Sequence, residues 1–394
     1  MMWTSTPCWT TCWNGGNRYI QALRDPKVEL ILTEHPWMEN DTLYSDIILP
    51  TTTRFEEYDI SGSMSGGDVW LVDDCIDRIG EAKTDYEVSL MIAEKLGPEW
   101  VEKYSWGRSV EDWMKYGYET RNVEEASGLT WEQFKEKQFY AAPFDPNWED
   151  ALKVQPGARG FYEDPEANPL STPTGKLEYE STFLAENFPD DKERPPVPHW
   201  VPEGETHQEN PLGEKGELYP LLCQSNHGRW RVHAEHDDVS WLREIPTCKV
   251  KGIDGYLYEP IWIHPSEAEK RGIKNGDIIG MYNDRGMVLG GAYVTERIRP
   301  GVAYQDHGAR MDPIADGEDL PQREYIDRGG ANNLICPEAT LSKNCGGQVG
   351  SAFLVEVKKV DIMALKEKYP EAFERDYDPA AGLQFNSWVE GGEL

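Results

Sequence analysis

The sequence predicts an α/β-layered part over residues 1–150 and a closed β-barrel over 218–360, joined by an extended stretch at 151–217. Three observations carry this. Two apolar runs, Val28–Leu32 and Ile47–Leu49, have the Ile/Leu character of strands buried in a parallel sheet. A capping box at Thr84-Asp85-Tyr86-Glu87 opens a helix behind them. From Tyr219 onward, short apolar runs alternate with Gly, Asn and Asp turns, as in a barrel of many short strands.

The first part reads as strand, loop, strand and helix. Asn17–Leu23 suits a short helix and Glu29–Leu32 a strand. The capped helix has Val88, Met91, Ile92 and Leu96 as its apolar face and Gly97 as its C-cap. Helical pieces follow at Val110–Tyr118 and at Thr130–Lys137, the second opened by Thr130 and Gln133. Arg194–Pro198 reads Arg-Pro-Pro-Val-Pro, an extended linker. The barrel strands are read at Leu221–Cys223, Pro260–Ile263, Asp277–Tyr282, Met287–Tyr293 and Ala352–Val357. A short helix at Pro265–Arg271 lies between them, and 361–394 form a tail with a helix at Ile362–Tyr369.

Totals narrow the function. The 394 residues carry a formal net charge of −32. A nucleic-acid binder needs a basic footprint, and none is visible. An acidic protein still binds an anionic cofactor through local backbone N–H groups and a few Arg side chains. No apolar run reaches the roughly 18 residues of a membrane helix, and no secretory signal is visible at the start. Seven scattered cysteines (Cys8, Cys12, Cys75, Cys223, Cys248, Cys336 and Cys345) fit reduced thiols in a cytoplasmic setting. Cys75 reads as a buried, inert thiol, and the Cys8/Cys12 pair alone is too few ligands for a cluster.

Five motifs, in order, resemble the molybdopterin oxidoreductases of the dimethyl-sulfoxide-reductase type. They are Asn40–Pro50 with Glu56 six residues later; Pro169–Glu178; His264–Ala268 with Arg271–Asp277 and Asn283–Gly286; Arg299–Val302; and Asp327–Asn333. The Trp- and Tyr-rich middle, with Phe161–Pro165, looks most like the pyrogallol–phloroglucinol transhydroxylase branch. The resemblance implies a partial doubly wound α/β domain followed by a double-psi-like barrel that binds molybdopterin guanine dinucleotide. It implies the bis form in the complete enzyme, with molybdenum or tungsten held through it. It further implies a small organic, phenolic substrate, an upstream remainder of the catalytic chain bearing the metal ligand and iron–sulfur region, and an iron–sulfur small subunit as partner. On this expectation the chain is an incomplete enzyme with no catalytic or metal-ligating residue of its own.

Cofactor contacts are expected at eight residues. Thr33 and Glu34 follow a parallel strand, where ligands of open α/β sheets sit. Asp85, in a run similar to the family's Gly-Glu-Ala-Lys-Ser-Asp, suits a guanine edge; its other reading is compensation of the helix dipole. His227, Gly228, Arg229 and His233 lie in a segment similar to the family's Thr-Gly-Arg barrel motif. Gly228 would let backbone approach the cofactor, Arg229 would meet phosphate, and His233 the pterin. Asn333 completes the set, against a plain turn asparagine. Glu56 and Glu57 read as structural. Two other classes stay open: a free-standing molybdopterin-binding subunit without catalysis, and an aromatic-rich carbohydrate-binding module suggested by 15 Trp and 19 Tyr.

Overall fold

A computed structural model describes residues 1–62, 67–143, 146–147, 158–192, 194–199, 209–235, 237, 239–245, 247–317, 319–338 and 350–374, with the backbone of 376–378 and 383–385. Cys345 and Trp148 lie outside the described residues.

The N-terminal part is built on a three-stranded parallel sheet, β1 (Met2–Thr4), β2 (Ile31–His35) and β3 (Ile47–Pro50), in that spatial order. The helix Gly16–Leu23 connects β1 to β2 and buries Ile20 and Leu23. The expected strand is present but displaced: β2 starts at Ile31, whose N–H donates to Asp46 Oδ2 at 2.7 Å. Thr33 and Glu34 therefore sit inside the strand rather than just beyond it. β1 lies in the apolar N-terminal stretch, which carries no strand signal of its own.

A second sheet, antiparallel, holds β4 (Asp59–Gly62), β5 (Val69–Val72) and β6 (Phe139–Tyr140). Helices Val110–Thr120 and Trp131–Lys137 pack on it through Met114, Tyr118, Trp131 and Phe134. Tyr118, Trp131 and Phe134 form a buried core, while Trp70, Trp100 and Trp106 of the same region stay exposed. The helix Asp85–Leu96 has the expected box: Thr84 Oγ1 accepts from Glu87 N–H at 3.1 Å and Glu87 returns the bond at 3.0 Å. Its inward face differs from the expected one. Val88 and Ala93 are buried, while Met91 is 51% and Leu96 60% exposed. Cys75 is also exposed, because its loop folds over Phe55 from outside: Cys75 N–H donates to the Phe55 carbonyl. Glu56 is structural as expected, accepting from the Thr53 and Ile79 N–H groups.

The barrel is closed by six strands. β7 (Leu221–Gln224) is followed by a two-stranded outlier, β8 (Val250–Lys251) and β9 (Leu257–Tyr258). Then come β10 (Pro260–Ile263), β11 (Ile278–Asn283), β12 (Gly286–Val294), β13 (Val302–Tyr304), β14 (Pro313–Ala315), β15 (Ile326–Asp327) and β16 (Phe353–Lys359). Around the barrel the order is β10-β13-β7-β16-β11-β12, and β12 pairs back to β10; β15 and β14 extend the sheet from β12. Two neighbouring pairs, β10/β12 and β7/β13, are parallel and the other four antiparallel. Five of the six strands match apolar runs read from the sequence. The sixth, β13, is three residues long and was hidden in the Pro-Gly turn motif. Close packing needs glycine within β12, where a Cβ on Gly291 would meet Val250 at 2.4 Å and one on Gly290 would meet Ile261 at 2.5 Å. Leu221, Ile261, Ile263, Ile279, Met281, Phe353 and Val355 fill the interior. Tail helix Ile362–Lys368 covers a second cluster with Tyr258 and Leu289.

The two halves are stitched by buried polar contacts. Arg310, after the barrel strand β13, donates to Glu39 Oε1 at 3.0 Å and to the Met38 carbonyl at 2.9 Å. Met311 N–H donates to Asn40 Oδ1 at 2.7 Å, and Asn40 in turn donates to Thr11. Among the described residues no helix is long and apolar enough to cross a membrane. Truncating one partner of a buried pair strands the other charge, at a cost of about 3–5 kcal/mol. Glu39→Ala is therefore expected to lower the urea midpoint sharply; a shift no larger than that of a surface Glu→Ala control would show that the pair does not join the halves.

Candidate functional site

The site forms where the ends of β7 and β13 meet the N-terminal part. After β7 the chain runs through Asn226 to Glu235 as a loop. After β13 it runs alongside, with His307 N–H donating to the Asn226 carbonyl at 3.2 Å. Arg231 anchors the loop. Its guanidinium is buried and reaches Glu259 through two nitrogens at 2.9 and 3.3 Å, the His307 carbonyl at 2.9 Å and the Asp306 carbonyl at 3.2 Å. Asp237, Lys249 and Arg243 complete the network. Burial disfavours the Asp237 carboxylate, yet Lys249, Arg231 and Arg243 together hold it well below the usual carboxylate range. Five ions thus share one dry site, each with an opposite neighbour.

On this frame the loop presents three imidazoles. His233 Nδ1 lies 3.1 Å from His307 Nε2, and His227 packs against both rings at centroid distances of 4.5 and 4.7 Å. His233 holds the left-handed conformation, φ 50°. Opposite it Gly308 has φ 81°, and a Cβ there would fall 1.7 Å from the His233 carbonyl oxygen, so only glycine fits. Burial first, then the neighbouring His227 and His233, hold the His307 pKa down to about 4.

Next to the triad lie amide groups with unmet valence. Gln305 is fully buried with both amide atoms unpaired, and the Oδ1 atoms of Asn332 and Asn333 are unpaired as well. Their nitrogens are used: Asn332 donates to the Gln305 carbonyl at 2.9 Å, and Asn333 to the Cys12 carbonyl at 3.2 Å. Leaving such groups unpaired costs about 1–3 kcal/mol each, so a polar partner, water or ligand, is expected beside them.

Across from the loop, a cleft of about 1340 Å³ opens. It is lined by His35 at the end of β2 and Trp37 just beyond it, Thr84 and Asp85 at the start of the capped helix, and Glu235 of the loop, with aromatic walls from Phe55, Tyr58, Tyr86 and Trp113. Asp85 is exposed to it. Glu34 sits near enough to Asp85 for their charges to interact: burial chiefly, then Asp85, raises the Glu34 pKa. The Thr33 hydroxyl and Glu34 Oε2 are buried and unpaired.

The eight expected residues thus fall into two groups. Asp85 lines the cleft, whereas Thr33 and Glu34 are buried within β2 behind its wall, Glu34 close enough to Asp85 for their charges to interact. His227, Gly228, Arg229 and His233 share the loop, with Asn333 on the barrel side. Arg229 is exposed, its guanidinium 5.3 Å from the Trp230 ring. Gly228 has an internal reason as well, since a Cβ would crowd Asp306 at 3.3–3.4 Å. Three members were missed. His307 follows a strand too short to notice, Asn332 was hidden beside Asn333, and Gln305 has no pattern at all. Cys8 and Cys12 stand with sulfurs 3.9 Å apart.

The barrel matches the family described as "Molydopterin dinucleotide binding domain" over residues 224–348. This span contains the loop, the triad and the unpaired amides. The pyrogallol hydroxytransferase large subunit of Pelobacter acidigallici is 32% identical over 88% of this chain and 41% of its own length. Dimethyl sulfoxide reductase DmsA of Escherichia coli is 33% identical over 87% of this chain and 39% of its own length. The chain belongs to the dimethyl-sulfoxide-reductase family of molybdopterin enzymes. The family's cofactor is molybdopterin guanine dinucleotide with molybdenum, and the barrel is its dinucleotide-binding domain. Acetylene hydratase from Pelobacter acetylenicus has the same fold, with a TM-score of 0.58 at 16% identity over 88% of this chain and 42% of that one. The chain spans about two fifths of the length of the relatives it matches.

The buried amides and hydroxyls fit such a cofactor, which offers amide-like ring edges, hydroxyls and phosphates. The lowered His307 pKa has a consequence that needs no ligand. An unfolded imidazole protonates near about pH 6.5, the folded one only near about 4. The unfolded state therefore binds the extra proton first, and stability falls as pH drops from about 6.5 to about 4. The melting temperature is expected to decline through that window, and His307→Asn to flatten part of the decline; an unchanged slope in the variant would refute it.

Proposed function

We propose that this chain is the cofactor-holding part of a molybdopterin-dependent oxidoreductase that acts on a small phenolic compound by hydroxyl or oxygen transfer. The unpaired amides of Gln305, Asn332 and Asn333 beside the loop His227–His233 carry the cofactor reading. The phenolic substrate rests on the similarity to the hydroxytransferase large subunit alone. When bound, the cofactor's metal supplies the electron and oxygen chemistry. This chain's residues bind and orient it. The Asp85 carboxylate would accept from the guanine N1–H and amino group, and the aromatic walls of the cleft suit the purine face. The Thr33 hydroxyl and Glu34 would serve the nucleoside hydroxyls. Arg229 would pair with phosphate, while His227, His233 and Asn333 would contact the pterin and Gly228 keeps the loop close against Asp306.

The remainder of the catalytic polypeptide is the expected partner, and an iron–sulfur subunit a further one. We also read the parallel sheet as a part of a doubly wound domain. The barrel's two parallel pairs support a double-psi-like winding.

The test is pterin content. The chain is co-produced with the rest of the catalytic polypeptide, and bound pterin is released, oxidised and measured by fluorescence. Losing one charge-assisted hydrogen bond costs about 2 kcal/mol, roughly thirtyfold in affinity. Asp85→Ala and Arg229→Ala are each expected to deplete the bound pterin after dialysis, whereas Cys75→Ser is not. Wild-type pterin content in both variants would remove Asp85 and Arg229 from the cofactor site. Absence of pterin from the complete wild-type protein would remove the reading itself.

A further inference from the structure

The three imidazoles His227, His233 and His307 form a group of a kind that the cofactor reading does not require. One ring atom from each lies within 4.8 Å of the other two. Two nitrogen ligands on a tetrahedral zinc, at about 2.0–2.1 Å each, stand about 3.3–3.4 Å apart. The His233 Nδ1 to His307 Nε2 separation is 3.1 Å. That pair is already at ligand spacing, and the third ring needs a movement on the order of 1.5 Å. His227 and His233 are exposed and His307 is half-buried, so an ion reaches them from water.

The backbone beneath is fixed. Gly308 is pressed on the His233 carbonyl, Arg231 binds the His307 carbonyl, and the His307 N–H binds the Asn226 carbonyl. The three cations below the rings, Arg231, Lys249 and Arg243, stand among three carboxylates, Glu259, Asp237 and Asp306, so the frame itself carries no surplus that bars a cation.

We propose that these three histidines bind one divalent transition-metal ion, zinc in the first instance, in the cofactor-free chain. Three neutral imidazoles select zinc, nickel or copper over magnesium or calcium, which prefer oxygen. Each ring gives one lone pair and keeps its proton on the nitrogen turned away. His233 then ligates through Nδ1 and His307 through Nε2. The shared hydrogen bond between them is lost as the metal takes its place. The fourth position faces solvent and holds water. The ion and the pterin cofactor are alternative occupants of this end of the barrel.

The chain is stripped with EDTA and titrated with zinc chloride by calorimetry, and in parallel with cobalt(II), whose visible absorption reports tetrahedral nitrogen coordination. One equivalent of zinc is expected to bind. His227→Gln, an exposed change that leaves the frame intact, is expected to weaken it at least about tenfold, and His307→Gln likewise. Cys8→Ser/Cys12→Ser is expected to bind zinc as the wild type does. Zinc is also expected to raise the melting temperature of the wild type and not of His227→Gln. Binding that survives both histidine changes, or that disappears with the cysteines, overturns the proposal. So does the absence of a stoichiometric zinc titration in the wild type. None of these readouts involves pterin, so the zinc site can fail while the cofactor reading stands, and the reverse.

Discussion

A single buried guanidinium organises this molecule. Arg231 is enclosed where the loop after β7 crosses the chain after β13, and it binds groups from three separate stretches: Glu259, Asp237, and the carbonyls of Asp306 and His307. An isolated charge in that place would be prohibitively costly. Its cost is offset because Glu259 meets it with both oxygens and Lys249 and Arg243 share the carboxylates. The gain is positional. A loop with no regular hydrogen bonding acquires one geometry, and the rings and amides above it inherit that geometry.

The same network reaches the N-terminal part. Asp237 accepts from the Arg310 N–H, and Arg310 goes on to Glu39 and Met38. The cleft between the halves is therefore bounded by walls tied through a chain of buried contacts. Glu235 lines that cleft from the loop side, two residues after His233. The loop 226–235 and the cleft are parts of one polar assembly, with apolar cores on either side.

Much of this was legible in the sequence where one physical cause acts locally. The Thr84/Glu87 and Thr130/Gln133 boxes set helix starts through neighbours three residues away, and both appear as read. Buried strands with four or more apolar residues announce themselves by composition. What escaped depends on distant partners. β13 is only three residues long and exists because β7 and β10 pair with it on either side. The β2 start depends on Asp46, fifteen residues away. Met91 and Leu96 fit the helical period yet face outward, because the helix buries a narrower stripe than its pattern offers. At the site, the Arg- and His-rich loop stood out in an acidic chain, whereas Gln305 and His307 became visible only once β13 placed them beside it.

The winding of the barrel has a consequence for how the chain is made. β7 lies between β13 and β16, pairing Leu222 with Val302 and Cys223 with Phe353. These partners are 302 − 222 = 80 and 353 − 223 = 130 residues downstream. Contacts of such separation form slowly, because the loop entropy is lost before any pairing rewards it. During synthesis β7 emerges long before either neighbour and waits with both edges open, a state prone to wrong pairing. The N-terminal sheet and the capped helices can settle locally first. The loop that follows β7 cannot take its final shape until β13 and β16 have left the ribosome, so the three imidazoles come together only late in synthesis.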